Sequence, residues 1–599
     1  MDYTKLGLRV GLEIHQQLAT KTKLFCRCPV MRSEELPISL RRKLRSVASE
    51  LGDIDPAAQY EYIRDRNFVY RANPESSCLV ESDEDPPKDL NMEALHTAIQ
   101  VCKLLDCEIV DELHVMRKTV IDGSSVSGFQ RTVLVGTNGS IDTSMGKVGI
   151  GTVCLEEDSA TKISEKGNTI EYRLDRLGIP LIEIATDSSI KTPEHAHEVA
   201  EKLGLILRSL NVVRGIGSIR QDVNISIRGG ARVEIKGFQE LGKIANLVEN
   251  EAQRQAALLR VKEELHKRGV KDIKEQAKDV TDIFKETKNN MLRKFIEDDR
   301  KIYAAKLSGF SGILKESLGA HTLGRELSFY AEAYGGGIIH SDEDVNKHNI
   351  SNEFITLRKR LPVGERDIIF ICAGPEKSAI AVIDRAKYCL IGVPEETRAS
   401  IDSGSRFIRP LPGSGRMYPE TDVKPLRITS EMRKVILPKT LVEAKEELSK
   451  KLPSDLADQM VKSRLYPYYQ ATRENHPEID PVFVANVFLS ILKDLKRSGH
   501  DVDKISKDDV GILFSMIEKN EIPKSSMREA LIMLTEGKDI NTVKKSMSSM
   551  TEEEVRKIIS DAIKRNSGKN ESVLMGIIMS KTGGRADGAH VARLLREMM

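Results

Sequence analysis

Near its start the chain carries Gly11-Leu12-Glu13-Ile14-His15-Gln16-Gln17-Leu18, within an apolar run that begins at Leu8. The run reads as a strand, and residues two apart on a strand point to the same side. Glu13 and His15 therefore project together, a carboxylate beside an imidazole, a pair able to hold a divalent metal. Further carboxylates sit in strand-like settings. Glu156-Glu157-Asp158 follows the run from Val148, and Glu183 interrupts the apolar Ile179-Pro180-Leu181-Ile182-Glu183-Ile184. Asp222 alternates with Asn224 and Ser226, and Glu234 with Lys236. A carboxylate among aliphatic neighbours is costly to bury alone and needs a cation, a donor or a metal. Several such strands meeting would form an acidic basin for Mg²⁺, a hard ion that takes oxygen ligands and keeps waters for substrate phosphates. Metal-assisted phosphoryl transfer requires such a basin. The plainer alternative is a sheet with one wet face, where polar and apolar residues alternate anyway.

No Gly-x-x-x-x-Gly-Lys-Ser/Thr segment occurs, and Arg214-Gly215-Ile216-Gly217 reads as a turn. ATP would then be held by metal and by scattered bases, for which Arg117, Lys118, Lys162 and Arg416 are the candidates. No Ser/His/Asp triad or Cys/His pair stands out, so covalent release of ammonia by this chain is not expected.

The elements that must position these groups follow from periodicity. At 599 residues several domains are expected. Residues 1 to about 240 hold short β-like runs broken by Gly, Asn and Asp. A helix is predicted over about 191–209, with Thr192 as cap and Pro193 in the first turn, and another over about 241–268. The charged stretch 269–282 reads as a linker, and 283–403 as an inserted domain with Gly335-Gly336-Gly337 as a turn. Residues Arg406 to Asp422 are too rich in Pro and Gly for a helix and read as a loop. From about 430 onward the pattern is helical.

Charge excludes little. The formal net charge of +2, from 92 basic and 90 acidic residues, neither supports nor rules out an RNA partner, which needs only local basic patches. No run of about 18 apolar residues and no signal segment is seen, so no membrane span and a cytoplasmic location are expected. Of eight cysteines, only Cys26 and Cys28 have ligand-like spacing, with Cys78 a possible third; a closed structural zinc site wants four ligands.

Taken together, the segments Gly11–Leu18, Leu155–Asp158, Ile179–Ile184 and Asp222–Ser226 resemble the motifs of the B/E subunits of tRNA-dependent amidotransferases. The resemblance runs over nearly the whole chain. Leu323-Gly324-Arg325-Glu326-Leu327-Ser328-Phe329-Tyr330 and Arg416-Met417-Tyr418-Pro419-Glu420-Thr421-Asp422 incline it to the archaeal E branch. The fold it implies is α+β: a mostly antiparallel β cradle domain over 1–282, completed by 404–428; an inserted α+β domain like that of bacterial-type aspartyl-tRNA synthetases over 283–403; and a C-terminal all-helical region, divided into 430–495 and a tRNA-binding tail over 496–599. The tail carries the family-like stretch from Met575 to Gly588.

The resemblance implies an ATP- and Mg²⁺-dependent ligase. It would phosphorylate the side chain of glutamate misacylated onto tRNA(Gln), then amidate it with ammonia channelled from an asparaginase-like partner of the D type. The assembly would be a heterotetramer of two D and two E subunits. Catalytic roles would fall to Glu13, His15, Glu157 and Glu183, and metal ligation to Glu13, His15, Glu156, Glu157, Glu183, Asp222 and Glu234. Glu75 stands where relatives of the B type have a cysteine, which leaves zinc at Cys26, Cys28 and Cys78 in doubt. The alternatives are a tRNA-binding scaffold without catalysis, and a B-type subunit acting also on Asp-tRNA(Asn).

Overall fold

The structure, a computed structural model, describes the whole chain except residues 49–51, 216, 402–403, 464, 567–568 and 584. Ile216 of the Gly-x-Gly turn, the expected end of the insertion at residue 403 and Gly584 of the tail motif lie outside the described residues. The chain is a mixed α and β protein with largely antiparallel sheets, followed by a helical C-terminal region. It forms two compact units, Met1–Pro438 and Lys439–Met599.

An 11-stranded sheet organises the first unit. Its strands are β1 Arg9–Gln17, β2 Glu108–Ile109, β3 Val115–Thr119, β4 Phe129–Thr143, β5 Gly146–Glu157, β6 Pro180–Thr186, β7 Ile219–Ser226, β8 Val233–Phe238, β9 Glu396–Ile401, β10 Gly404–Pro410 and β11 Met417–Pro419. They lie in the order β10-β9-β8-β7-β1-β6-β5-β4-β3-β11, with β2 also paired to β4. All these pairs are antiparallel except β8 with β9. β1 is thus flanked by β6 and β7, the two strands that bring Glu183 and Asp222.

The two faces of β1 differ in chemistry. Val10, Leu12 and Ile14 are fully buried and join one core with Leu95 and Ile99 of helix α1 (Met92–Leu104), Val199 and Leu203 of α2 (Pro193–Arg208) and Val248 and Leu258 of α3 (Ile244–Lys267). Each such side chain contributes roughly 1.5–3 kcal/mol on burial. With this face sealed by helices, Glu13, His15 and Gln17 turn to the other side. α2 begins as its sequence predicts: the Thr192 hydroxyl accepts from His195 N at 3.1 Å, and Pro193 fills the first turn. α3 likewise falls inside its predicted range.

Two expectations about this sheet are corrected. The Arg406–Asp422 segment is not a loop throughout: its first residues form β10 and Met417–Pro419 forms β11, which pairs with β3. The first is held by antiparallel pairing with Glu396–Ile401, with Phe407 buried, and Pro410 ends it. Glu396–Ile401, expected in the insertion, is β9 of the main sheet. Its polar sequence hides this, because Glu396, Thr397 and Arg398 are buried among other charges instead of facing water.

A four-stranded sheet of Lys278–Asp279, Ile302–Leu307, Ile368–Ala373 and Gly337–His340 forms the centre of the inserted region, so its first strand lies upstream of residue 283, in the stretch expected to be a linker. Another, of Ile38–Arg42, Asn67–Ala72, Thr169–Arg173 and Thr161–Lys166, stands apart from the main sheet.

The second unit is built of helices. Its last three, Glu552–Arg565, Glu571–Thr582 and Gly588–Met598, close around Val555, Ile559, Leu574, Ile578, Val591 and Leu594. Among the described residues no helix is long and apolar enough to cross a membrane.

Candidate active site

Strand register brings the acidic residues together. His15 lies opposite Glu183 on β6 and Arg220 on β7, and Glu13 lies opposite Asp222. Directly opposed residues share a face of the sheet. Donor atoms of Glu13, His15 and Asp222 lie within 4.8 Å of one another, as do those of His15, Glu156 and Glu183. His15 belongs to both sets. Its Nε2 is 3.1 Å from Glu183 Oε2 and 3.9 Å from Glu156 Oε2, while its buried Nδ1 has no hydrogen-bond partner.

Two lysines hold this basin. Lys118 Nζ donates to Glu156 Oε1 and lies 3.5 Å from Glu183 Oε2. Lys236 Nζ donates to Asp222 Oδ2 at 2.7 Å and lies 2.8 Å from Glu234 Oε1. Neutral donors complete the shell: Asn224 Nδ2 to Glu13 Oε1 at 3.0 Å, Gln130 Nε2 to Glu156 Oε2 at 3.1 Å, and the Thr397 hydroxyl to Glu234 Oε2 at 3.0 Å.

Charge is unevenly shared. Burial pushes Glu13 above the usual carboxylate range, against the pull of Lys236 and with the help of Glu183, Glu234 and Asp222. Burial, then Glu183, likewise raises Glu156. Glu183 is held well below the usual range because Lys118 and His15 outweigh the effect of burial. Asp222 is brought down to about 2, burial being outweighed by Lys236 and His15. Burial disfavours the His15 cation, yet contact with Glu183 and the field of Asp222 and Glu156 raise it above its ordinary value. One imidazole and two lysines thus face Glu13, Glu156, Glu183, Asp222 and Glu234, an excess of buried negative charge.

Cys154, directly opposite Glu183 in register, also belongs to this face. Burial and the neighbouring Glu183 and Glu156 push its thiol up to about 12, so it is no nucleophile at neutral pH.

The structure separates other expected residues from this group. Glu157, next to Glu156 on β5, points to the alternate side. There it accepts from Arg131 N at 3.2 Å and faces Arg131 Nη1 at 3.3 Å. Arg117 parts from Lys118 in the same way and lies 2.5 Å from Glu420 Oε1, a carboxylate that Arg131 also contacts. Lys162 is exposed on the separate four-stranded sheet, 2.9 Å from Glu165. Arg416 is placed toward the basin: its Nε donates to Thr119 O at 3.1 Å and its guanidinium feels Arg409, Glu234 and Glu156. Lys236 and Gln130 are the main residues missed as site members. The alternation of Lys236 with Glu234 was the available signal for one; nothing local marks the other.

One face of the sheet is apolar under helices, and the other carries two overlapping carboxylate–imidazole clusters whose donor atoms are close enough to hold a metal ion. Residues 8–434 match the family model described as the GatB/GatE catalytic domain, and residues 468–599 that described as the GatB domain. The chain belongs to the GatB/GatE family. It is 42% identical to the glutamyl-tRNA(Gln) amidotransferase E subunit of Archaeoglobus fulgidus, over 100% of this chain and 99% of that protein. Proteins of the same name from Sulfurisphaera tokodaii and Methanocaldococcus jannaschii are 42% and 41% identical over the same shares.

Proposed function

We propose that this chain is the E subunit of an amidotransferase that converts Glu-tRNA(Gln) to Gln-tRNA(Gln) at the basin of Glu13, His15, Glu156, Glu183 and Asp222. The single observation that carries the reading is the sharing of His15 by two carboxylate clusters within 4.8 Å. In this reaction a side-chain oxygen of the esterified glutamate attacks the γ-phosphorus of ATP and ADP departs. Ammonia then adds to the acyl carbon, phosphate leaves with that oxygen, and a proton is lost as the amide forms. A carboxylate is a poor acyl donor until its oxygen has become part of a phosphate leaving group.

The residues fit Mg²⁺: the carboxylates outnumber the lysines that touch them, and the orphaned Nδ1 of His15 leaves that side chain free for a further contact. Glu13, His15, Glu156, Glu183 and Asp222 would hold it, and bound there it would supply positive charge to offset the charge that develops on the transferring phosphoryl group. The chain's own cations have separate tasks. Lys118 and Lys236 fix the carboxylates at 2.7–3.5 Å for the contacts away from the Lys118–Glu156 pair, and Arg416 offers a guanidinium to phosphate. Holding nucleotide and glutamyl group in one orientation supplies much of what phosphoryl transfer requires.

Ammonia would come from an asparaginase-like partner of the D type, and the helical unit Lys439–Met599 would hold the tRNA. The test is phosphate release by the chain with that partner, with and without Glu-tRNA(Gln). Stimulation by the charged tRNA supports the reading; tRNA binding without any stimulated ATP hydrolysis would make the chain a scaffold.

A further inference from the structure

The inserted region holds a cleft that the chemistry of the basin does not use. Its volume is about 560 Å³, the size of a small-molecule site. One wall is the first turn of the helix Leu323–Glu332; another is the end of the strand Gly337–His340 and the turns that follow it. Thr322 caps the helix by accepting from Arg325 N at 3.3 Å, and Leu323 N donates to Glu316 O at 3.0 Å. The Gly324 N–H has no partner among the described residues. It belongs to the cleft wall at the positive end of a ten-residue helix.

A buried imidazole packs on this helix start. Position 324 has to be glycine, because a β-carbon there would lie 2.3 Å from His340 Nε2. His340 lines the cleft, is 4% exposed, and holds its Nε2 2.9 Å from Glu343 Oε1. Its Nδ1 is buried and has no hydrogen-bond partner among the described residues. A polar atom left open in this way calls for a partner the chain itself does not supply.

The charges around the cleft narrow the choice of ligand. Lys315 and Lys347 line it, are exposed, and have no carboxylate within ion-pair distance among the described residues. Arg325 pairs with Glu332 through Nη1 and lies 4.5 Å over the Phe329 ring, which leaves the rest of its fork open. These cations and a free helix N–H suit a phosphate. Acidic groups limit what else the ligand carries. Glu343 is engaged by His340 and, at 3.3 Å, by His348. Asp342 Oδ2 accepts from Leu314 N at 3.3 Å and Asp344 Oδ1 from Asn346 N at 3.2 Å, so each aspartate keeps an oxygen for a hydroxyl donor. A compact polyanion would be repelled by these carboxylates. A phosphate ester with neighbouring hydroxyls satisfies both sets of groups, as an acidic residue does for ribose in nucleotide sites.

We propose that this cleft is a second ligand site, for a ribonucleoside monophosphate unit. Its phosphate meets Gly324, Lys315 and Lys347, its ribose hydroxyls meet Asp342 and Asp344, and His340 Nδ1 gains the partner it lacks. Half-buried Ile338 supplies apolar surface for the base. The same phosphate–ribose unit occurs free and within RNA. The site needs neither the basin nor its metal, so its test is independent of the reaction proposed above.

The full-length chain is photolabelled with 8-azidoadenosine 5′-monophosphate in excess chelator, and labelled peptides are mapped by mass spectrometry. Label is expected within residues 314–348 and is suppressed by excess AMP; adenosine, lacking the phosphate, should protect about tenfold less well. The Lys315→Ala/Lys347→Ala variant should lose this label by about tenfold or more while its ATP hydrolysis matches the wild type, and the Lys315→Arg/Lys347→Arg variant should retain it. Protection by AMP but not by tRNA(Gln) assigns the site to free nucleotide; protection by equimolar tRNA(Gln) assigns it to a nucleotide of RNA. Absence of label from this segment, label indifferent to excess AMP, equal protection by adenosine, or full labelling of the alanine variant would overturn the proposal. The wild-type map decides even if a variant fails to fold.

Discussion

His15 and Glu183 face each other across adjacent strands, Nε2 to Oε2 at 3.1 Å. The pairing joins the two acidic clusters, since His15 also reaches Glu156 and shares the other cluster with Glu13 and Asp222. Replacing His15 by Ala should leave the β1 core intact, because Val10, Leu12 and Ile14 pack on the opposite face. Metal-dependent ATP turnover should fall on the order of 100-fold or more, read as a rightward shift in Mg²⁺ dependence together with a lower maximum rate.

Lys118 lowers both Glu156 and Glu183, in each case against the effect of burial. Removing the ammonium in Lys118→Met lets both carboxyls titrate at higher pH. Their charged forms then persist only in less acidic solution, so the acid limb of the rate profile should move to higher pH. A profile that keeps its acid limb while the rate falls would assign Lys118 to substrate contact alone.

Stability has a separate electrostatic seat. Glu326 is fully buried between Arg254 Nη1 at 2.9 Å and Arg398 Nη1 at 2.7 Å, with His321 Nε2 at 2.8 Å. Burial would raise its pKa, but Arg398 and Arg254 hold it well below the usual range. A lowered folded-state value means the stabilisation is complete above the ordinary pKa of about 4.3 and is lost as pH falls through the lower folded value. Glu326→Gln should cost about 3–5 kcal/mol at neutral pH by leaving buried arginines uncompensated. Urea unfolding from pH 7 to pH 3 should show a flatter acid limb in the variant than in the wild type.

Lys162 provides the contrasting case. It is half exposed and pairs only with Glu165. Lys162→Ala should change stability by no more than about 0.5 kcal/mol and leave ATP affinity unaltered in an equilibrium binding titration. A marked loss of affinity would return this residue to the nucleotide site.

The alternation of Glu13 with His15, of Asp222 with Asn224, and the lone charge of Glu183 were legible because a strand's two-residue period fixes which side chains share a face. The choice between Glu156 and Glu157 was not, since period alone does not say which of two adjacent residues points inward. Strand β9 was hidden because Glu396 and Arg398 look solvated in sequence but are satisfied by Tyr330, Glu326 and Arg254 from distant segments. Caps and periodic helices such as α2 and α3 are local, and the chain's own residues predict them.

The central claim is that the carboxylates around His15 perform phosphoryl transfer to the glutamyl group. It is tested most directly by phosphate release from ATP in the presence of Glu-tRNA(Gln) and the D-type partner, comparing wild type with Glu13→Ala. The expected result is tRNA-stimulated release in the wild type and its loss in a variant that still folds and still binds tRNA. Equal stimulated release in both proteins would contradict the assignment.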